Sequence, residues 1–243
     1  MTKILCLESS TEVCSVAFVE DGVVVDFRED RKGLNHAKLL TVFIDDLLKS
    51  NCLKAGDLSA LAVSEGPGSY TGLRIGVSAA KGICYAVEIP LIAISPLEAM
   101  ANHLIKNTSK YGLSINPNEL IVPMIDARRM EVYAAIYNHR GGVVRKVDAL
   151  IIDRDTFATE LAQAKVYFVG NGTEKCKTVI DHENAVFIDG IVASALNMAD
   201  LAQKRFDAQQ FVDVAYFEPF YLKNFIATTP KNSVLNTLVR GKN

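Results

Sequence analysis

The stretch ESSTE, residues 8–12, puts a carboxylate and three hydroxyls directly after the apolar run KILCL. Glu8 could hold a divalent cation through water, and Ser9, Ser10 and Thr11 could donate to a phosphate. A polar turn capping two strands accounts for the same residues, and it is the simpler reading, because nothing in the spacing fixes a phosphate geometry. A second candidate is EGPGSYTGLRIG, residues 65–76, in which glycines sit between an apolar run and a small-residue helix pattern. Glycine lets backbone approach closely, and N–H groups at a helix start favour anions. Ser69 suits a helix N-cap. It does not lie in a G-x-S-x-G nucleophile turn. Glu8, Glu12, Glu65 and Asp126 are carboxylates that a fold could bring together. The four histidines, His36, His103, His139 and His182, include no pair spaced i, i+4 and no H-E-x-x-H, so no metal set is expected. A lone His36 ahead of an apolar helix reads as packed or capping. No catalytic set stands out.

The elements that must position these residues occur in two rounds. KILCLES, EVCSVAFVE and GVVVDFRE read as three strands, the last two joined by the turn EDG. A helix follows from Asn35, then the strand LSALAVS, the glycine stretch, a second helix and the strand PLIAI. SPLEAMANHLIK is a third helix, with Ser95 as N-cap, Pro96 in the first turn and Glu98 completing a capping box. Residues 107–119, rich in Asn, Ser, Gly and Pro, read as a linker.

The same order then returns. LIVPMIDA, MEVYAAIYN and VVRKVDALII are strands, with the turn HRGG between the last two. RDTFATELAQA is a helix, KVYFVG a strand, NGTEKCKTVI a helix, AVFIDG a strand and IVASALNMADLAQKRF a helix. ESSTEVCSVAFVEDG aligns with DARRMEVYAAIYNHRGG, and GPGS at 66–69 with GNGT at 170–173. Order and local text agree, which points to an internal repeat. The expected units are 1–106, rejoined by part of 207–243, and 120–206. A tandem of βββαβαβα units is the actin-like, ribonuclease H-like α/β architecture. In that class nucleotide lies between the units, against the first hairpin turn of each.

Two helices carry a different message. In NHAKLLTVFIDDLLK, the residues His36, Ala37, Leu39, Leu40, Phe43, Ile44, Leu47 and Leu48 span about half the circumference at 100° per residue. Packing on one sheet needs less. In the glycine helix, Gly72, Gly76 and Ala80 recur at i, i+4 and i+8, with Ala79 and Gly82 nearby. Each interior glycine costs about 1 kcal/mol against alanine. Close approach by another helix offsets that cost, so the wide arc and the small-residue stripe together point to a subunit interface.

The whole chain bounds these readings. Its 243 residues are 49% apolar and 22% charged, a globular balance. A net charge of −2 predicts no strong attraction to nucleic acid. The first apolar run stops at Glu8, too short for a secretory signal, and no stretch is long enough to span a membrane. Five cysteines without a C-x-x-C pair fit reduced thiols. The expectation is a cytoplasmic protein.

ESSTEVCSVAF, HAKLLTVFIDDLL, GPGSYTGLRIGVSAAKG, PLIAISPLEAMA, DARRMEVYAAIY and PFYLKN, in that order, resemble the TsaB (YeaZ) family. GPGSYTGLRIG is the most specific of them. The resemblance implies an actin-like fold and a non-catalytic partner of the transferase TsaD. With TsaE, the two transfer threonylcarbamoyl to the adenosine beside the anticodon of tRNAs reading ANN codons. It implies TsaD and TsaE as partners, a homodimer when alone, tRNA contact only through the complex, and no cofactor. In the catalytic relative two histidines at i, i+4 on the first helix bind metal; here the second position is Leu40. The family's dimerisation surface maps onto His36, Leu39, Leu40, Phe43 and Leu47, and onto Gly72, Arg74, Ile75, Gly76, Ala79, Ala80 and Ile83. Glu8, Ser9, Ser10 and Thr11 map onto a vestigial nucleotide loop. The rival readings are a stand-alone actin-fold small-molecule kinase or ATPase and an M22-like metallopeptidase. The tail after Asn224 carries Lys231, Arg240 and Lys242 and no acid.

Overall fold

The computed structural model describes residues 1–33 and 35–223. The basic tail residues Lys231, Arg240 and Lys242 lie outside the described residues. Strands β1 (Lys3–Glu8), β2 (Cys14–Glu20), β3 (Val23–Asp30), β4 (Ala60–Ser64) and β5 (Leu91–Ile94) form one sheet in the order β3-β2-β1-β4-β5. Strands β6 (Leu120–Asp126), β7 (Glu131–Asn138), β8 (Val143–Ile151), β9 (Val166–Val169) and β10 (Ala185–Phe187) form a second, in the matching order β8-β7-β6-β9-β10. In both, the first three strands are antiparallel and the last two add in parallel. The repeat read from the sequence is therefore a repeat of topology, and the chain has the actin-like, ribonuclease H-like fold.

Central strands such as β1 and β4 are apolar at nearly every position because helices cover both faces. On one face of the first sheet, Leu5, Leu7, Val16, Phe18, Leu61 and Val63 meet α1 (His36–Ser50) and α2 (Tyr70–Val87). On the other, Ile4, Cys6, Ala17, Ala62, Ile92 and Ile94 meet Ala195, Met198 and α6 (Ala199–Asp207). The second sheet packs α4 (Ala158–Gln163) and α5 (Thr173–Cys176) on one face. Its other face takes Leu97, Met100, Ala101 and Leu104 of α3 (Pro96–Lys106).

The last helix of each round thus crosses over. α3 lies on the second sheet and residues 195–207 lie on the first, so the expected allocation of 96–106 and 195–206 differs from the packing. Apolar faces on both helices match the sheet opposite better than open water, and short-range sequence carries no sign of the exchange. The 107–119 stretch is no free linker, since Tyr111, Leu113 and Ile115 pack on the second core. Residues 211–220 return to the first unit: Val212 bridges Leu91, Lys81 donates to the Ala215 and Phe217 carbonyls, and Phe220 N–H donates to the Glu65 carbonyl at 2.7 Å.

Three local expectations change. Ser95 makes no side-chain cap, its hydroxyl lying beside Tyr137 instead, and Glu98 pairs with Arg205 on α6 in place of closing a capping box. The helix expected from 154 begins only at Ala158. Asp153 and Thr156 bond each other's side chains and the local N–H groups, holding a turn there. The helix expected over 171–180 is one turn, α5, followed by further turns.

Candidate functional site

The β1–β2 turn is sealed except at Glu12. Glu8, Ser9 and Ser10 have no exposed surface, and Thr11 has little. Ser10 N–H donates to Glu8 Oε1 at 2.6 Å. Glu8 Oε2, Ser10 Oγ and Ser64 Oγ are buried without a well-formed partner, although both hydroxyls lie beside the carboxyl. Burial pushes the Glu8 carboxyl above its ordinary range, outweighing the hydrogen bonds that favour the anion. The glycine helix closes the turn from outside. Ser69 N–H donates to the Ser10 carbonyl at 2.6 Å, Ser9 Oγ donates to the Gly72 carbonyl at 2.9 Å, and Ser69 Oγ caps Gly72 N–H. A Cβ on Gly68, Gly72 or Gly76 would collide with Ser10 O, Ser9 O or Ser9 Oγ respectively.

That geometry corrects the interface expectation. Gly72, Gly76 and Ala80 are buried and face their own unit: the two glycines admit the β1–β2 turn and Ala80 joins the core. His36, Leu40 and Leu47 are buried too. His36 Nε2 lies 3.2 Å from the Val13 carbonyl, the packed role expected of a lone histidine. The arc of α1 is wide because this helix packs on both the sheet and α2. What remains outside is a ridge. Leu39 and Phe43 on α1 and Ile75, Ala79 and Ile83 on α2 are partly buried over one core, with Val42 48% exposed beside them. Arg74 is exposed, its guanidinium 4.6 Å above the Tyr70 ring.

In the second unit the equivalent turn is open. Arg128 N–H donates to Asp126 Oδ1 at 2.7 Å, the counterpart of Ser10 and Glu8. Lys175 pairs with Asp126 at 2.6 Å, and Lys223 pairs with Glu131. Asn171 bridges the two turns, donating to Glu12 Oε2 at 2.7 Å and accepting the Asp126 N–H at 3.1 Å. The four carboxylates do not converge: Glu8 is sealed, Glu12 and Asp126 flank Asn171, and Glu65 sits near Glu98 and Arg205. Burial raises the Glu65 carboxyl, with Arg205 opposing.

Residues 33–237 match the family model of TsaD, tRNA N6-adenosine threonylcarbamoyltransferase. The tRNA threonylcarbamoyladenosine biosynthesis protein TsaB of Bacillus subtilis is 31% identical over 198 residues, 79% of this chain and 80% of that protein. Its Escherichia coli namesake is 29% identical over 231 residues, 93% and 96% of the two chains. A Pseudomonas aeruginosa crystal structure described as similar to peptidase YEAZ superposes with a TM-score of 0.78 at 25% identity, covering 92% of this chain and all of that one. The chain belongs to the TsaB (YeaZ) family.

Two groups that the wider fold suggests do not fit this TsaB-family chain. A metal on α1 would need a ligand at Leu40, which is wholly buried in the core, and among the described residues no three His, Cys, Asp or Glu side chains cluster to hold an ion. A phosphate at the β1–β2 turn would need groups that α2 already engages, at a place with no open surface. Among the described residues no helix is long and apolar enough to cross a membrane. Sequence reading missed Asn171 and the Arg205–Glu98 pair. Both link parts of the chain more than 100 residues apart, beyond any local pattern.

Proposed function

We propose that this chain is the partner subunit of a TsaD-type threonylcarbamoyltransferase in tRNA threonylcarbamoyladenosine biosynthesis. It supplies a docking face and no catalytic group. The observation that carries this reading is the ridge of Leu39, Phe43, Ile75, Ala79 and Ile83, two adjacent i, i+4 rows left half-covered by their own core. Family membership supports TsaD as the protein that docks there, TsaE as the third member, and a homodimer through the same face when the chain is alone. The sealed β1–β2 turn supports the absence of nucleotide chemistry in this subunit, against the kinase reading. Leu40 stands against the metallopeptidase reading.

Co-expression with the TsaD of the same organism, followed by size-exclusion chromatography, tests the proposal. A stable complex is expected. Phe43→Asp should keep near-native circular dichroism, since the side chain is partly exposed, yet should lower co-purification at least ten-fold. Each 1.4 kcal/mol of interface energy is about a factor of ten in affinity. A Phe43→Asp chain that folds and binds TsaD normally would put the interface elsewhere.

A further inference from the structure

The β6–β7 turn carries Arg128 and Arg129 at φ of +70° and +49°. Two successive non-glycine residues in the left-handed region are uncommon, because the Cβ of an L-residue crowds the neighbouring carbonyl there. Glycine at either place would relieve the crowding. Local folding therefore favours glycine, and two long cationic side chains stand in its place.

Their surroundings leave that charge uncompensated. Asp126 is taken by Lys175 and by the Arg128 N–H, and Glu131 is taken by Lys223. Glu12, across the gap, is hydrogen-bonded by Asn171. Among the described residues neither Arg128 nor Arg129 forms an ion pair, and both are exposed.

We propose that the β6–β7 turn is a phosphate-backbone contact for RNA, with Arg128 and Arg129 as its two cations. This rests on the reading of the chain as a subunit of a tRNA-modifying complex, and it gives that subunit a direct share of the substrate. Guanidinium groups suit phosphate because their fixed fork of N–H donors matches its oxygens. The contact reads charge and carries no base sequence. The matching turn of the first unit has no role in it, being buried except for the acidic Glu12 and without a basic residue.

The test uses the full chain in complex with its co-expressed transferase, and an unmodified tRNA transcript followed by fluorescence anisotropy over about 50–300 mM KCl. The informative variant is the pair Arg128→Gly with Arg129→Gly. It removes both charges and gives the turn the residue its backbone prefers, so folding and complex formation should hold, and the melting temperature should be equal or higher. Binding of tRNA should weaken about ten-fold near 0.1 M salt, and the slope of log K against log salt should flatten by about 1.5. The pair Arg128→Lys with Arg129→Lys should keep most of the slope. A glycine pair that binds tRNA with unchanged affinity and slope overturns the inference while leaving the partnership intact. A glycine pair that loses the transferase but keeps its RNA affinity also overturns it, making the turn a contact for an acidic protein surface. A wild-type chain that elutes apart from the transferase refutes the underlying partnership, and this inference with it.

Discussion

Glu8 accepts the Ser10 N–H at 2.6 Å, and Asp126 accepts the Arg128 N–H at 2.7 Å, each at the end of the first strand of its unit. The local geometry is the same and the surroundings are opposite. Over Glu8 lies the 18-residue α2, whose Gly72 and Gly76 let it settle directly onto the turn. Beside Asp126 lies α5, four residues long, whose preceding Gly170 and Gly172 admit Met124 and Ile125 of the sheet and leave the turn uncovered. One copy of the repeat has hydroxyls and a carboxyl sealed from water; the other has an exposed acid and two arginines. The covering helix, more than the turn itself, decides which residue types each copy tolerates, because burying an unpaired arginine would cost several kcal/mol.

The largest expected effect breaks the cover over the first turn. Gly72→Ala places a Cβ where the Ser9 carbonyl already lies, and backbone must move to relieve it. The expected destabilisation is about 3 kcal/mol, at the upper end for overpacking. Gly76→Arg should not fold, because Gly76 is buried against the Ser9 side chain and the variant would bury an unpaired charge there. Gly82, on the same helix with nothing near its Cβ position, is the control: Gly82→Ala should stabilise by about 0.5–1 kcal/mol. Denaturant midpoints decide it. Equal effects at 72 and 82 would mean that α2 does not close on the turn.

This contrast also marks what the sequence could tell. Strand alternation and turn punctuation are local signals, so the two rounds of elements were legible, and Gly66 and Gly170 indeed share left-handed backbone at +107° and +104°. Periodicity shows which residues share a face, but not what covers that face. Gly72, Gly76 and Ala80 were correctly grouped, yet the two glycines face Ser9 and Ala80 faces the core of their own unit. The arc on α1 was correctly measured, yet part of it is spent on α2. The exchange of α3 and α6 was invisible because its signs, such as Glu98 meeting Arg205, join residues 107 apart in sequence.

A middle-sized effect comes from the charge that the cover suppresses. Burial raises the folded-state pKa of Glu8 above its usual carboxylate value, so the native state holds the proton where the unfolded chain has lost it. Stability from this group is fully present below the unfolded value and is lost as pH rises through the folded one. The slope reaches at most about 1.4 kcal/mol per pH unit. Glu8→Gln should remove that dependence, making the variant relatively more stable as pH rises from 5 to 8. Unfolding free energies measured across that range check the sign. A wild-type curve parallel to that of Glu8→Gln would mean that water reaches the carboxyl.

The smallest effect concerns Asn171, a side chain that touches both turns. Asn171 donates to Glu12 at 2.7 Å and accepts from the Asp126 N–H at 3.1 Å, but both bonds are exposed, and water can replace either partner. Asn171→Ala should therefore cost only about 0.5–1 kcal/mol. The sharper quantity is the coupling between Glu12→Ala and Asn171→Ala, measured as a double-mutant cycle. If the two turns are independent, one sealed by α2 and the other open to solvent, the coupling should stay near 0.5 kcal/mol, as for an exposed bond. Coupling above about 2 kcal/mol would show that the units move as one through this contact. The contrast between the turns would then be one of surface only, with no separate mechanical behaviour behind it.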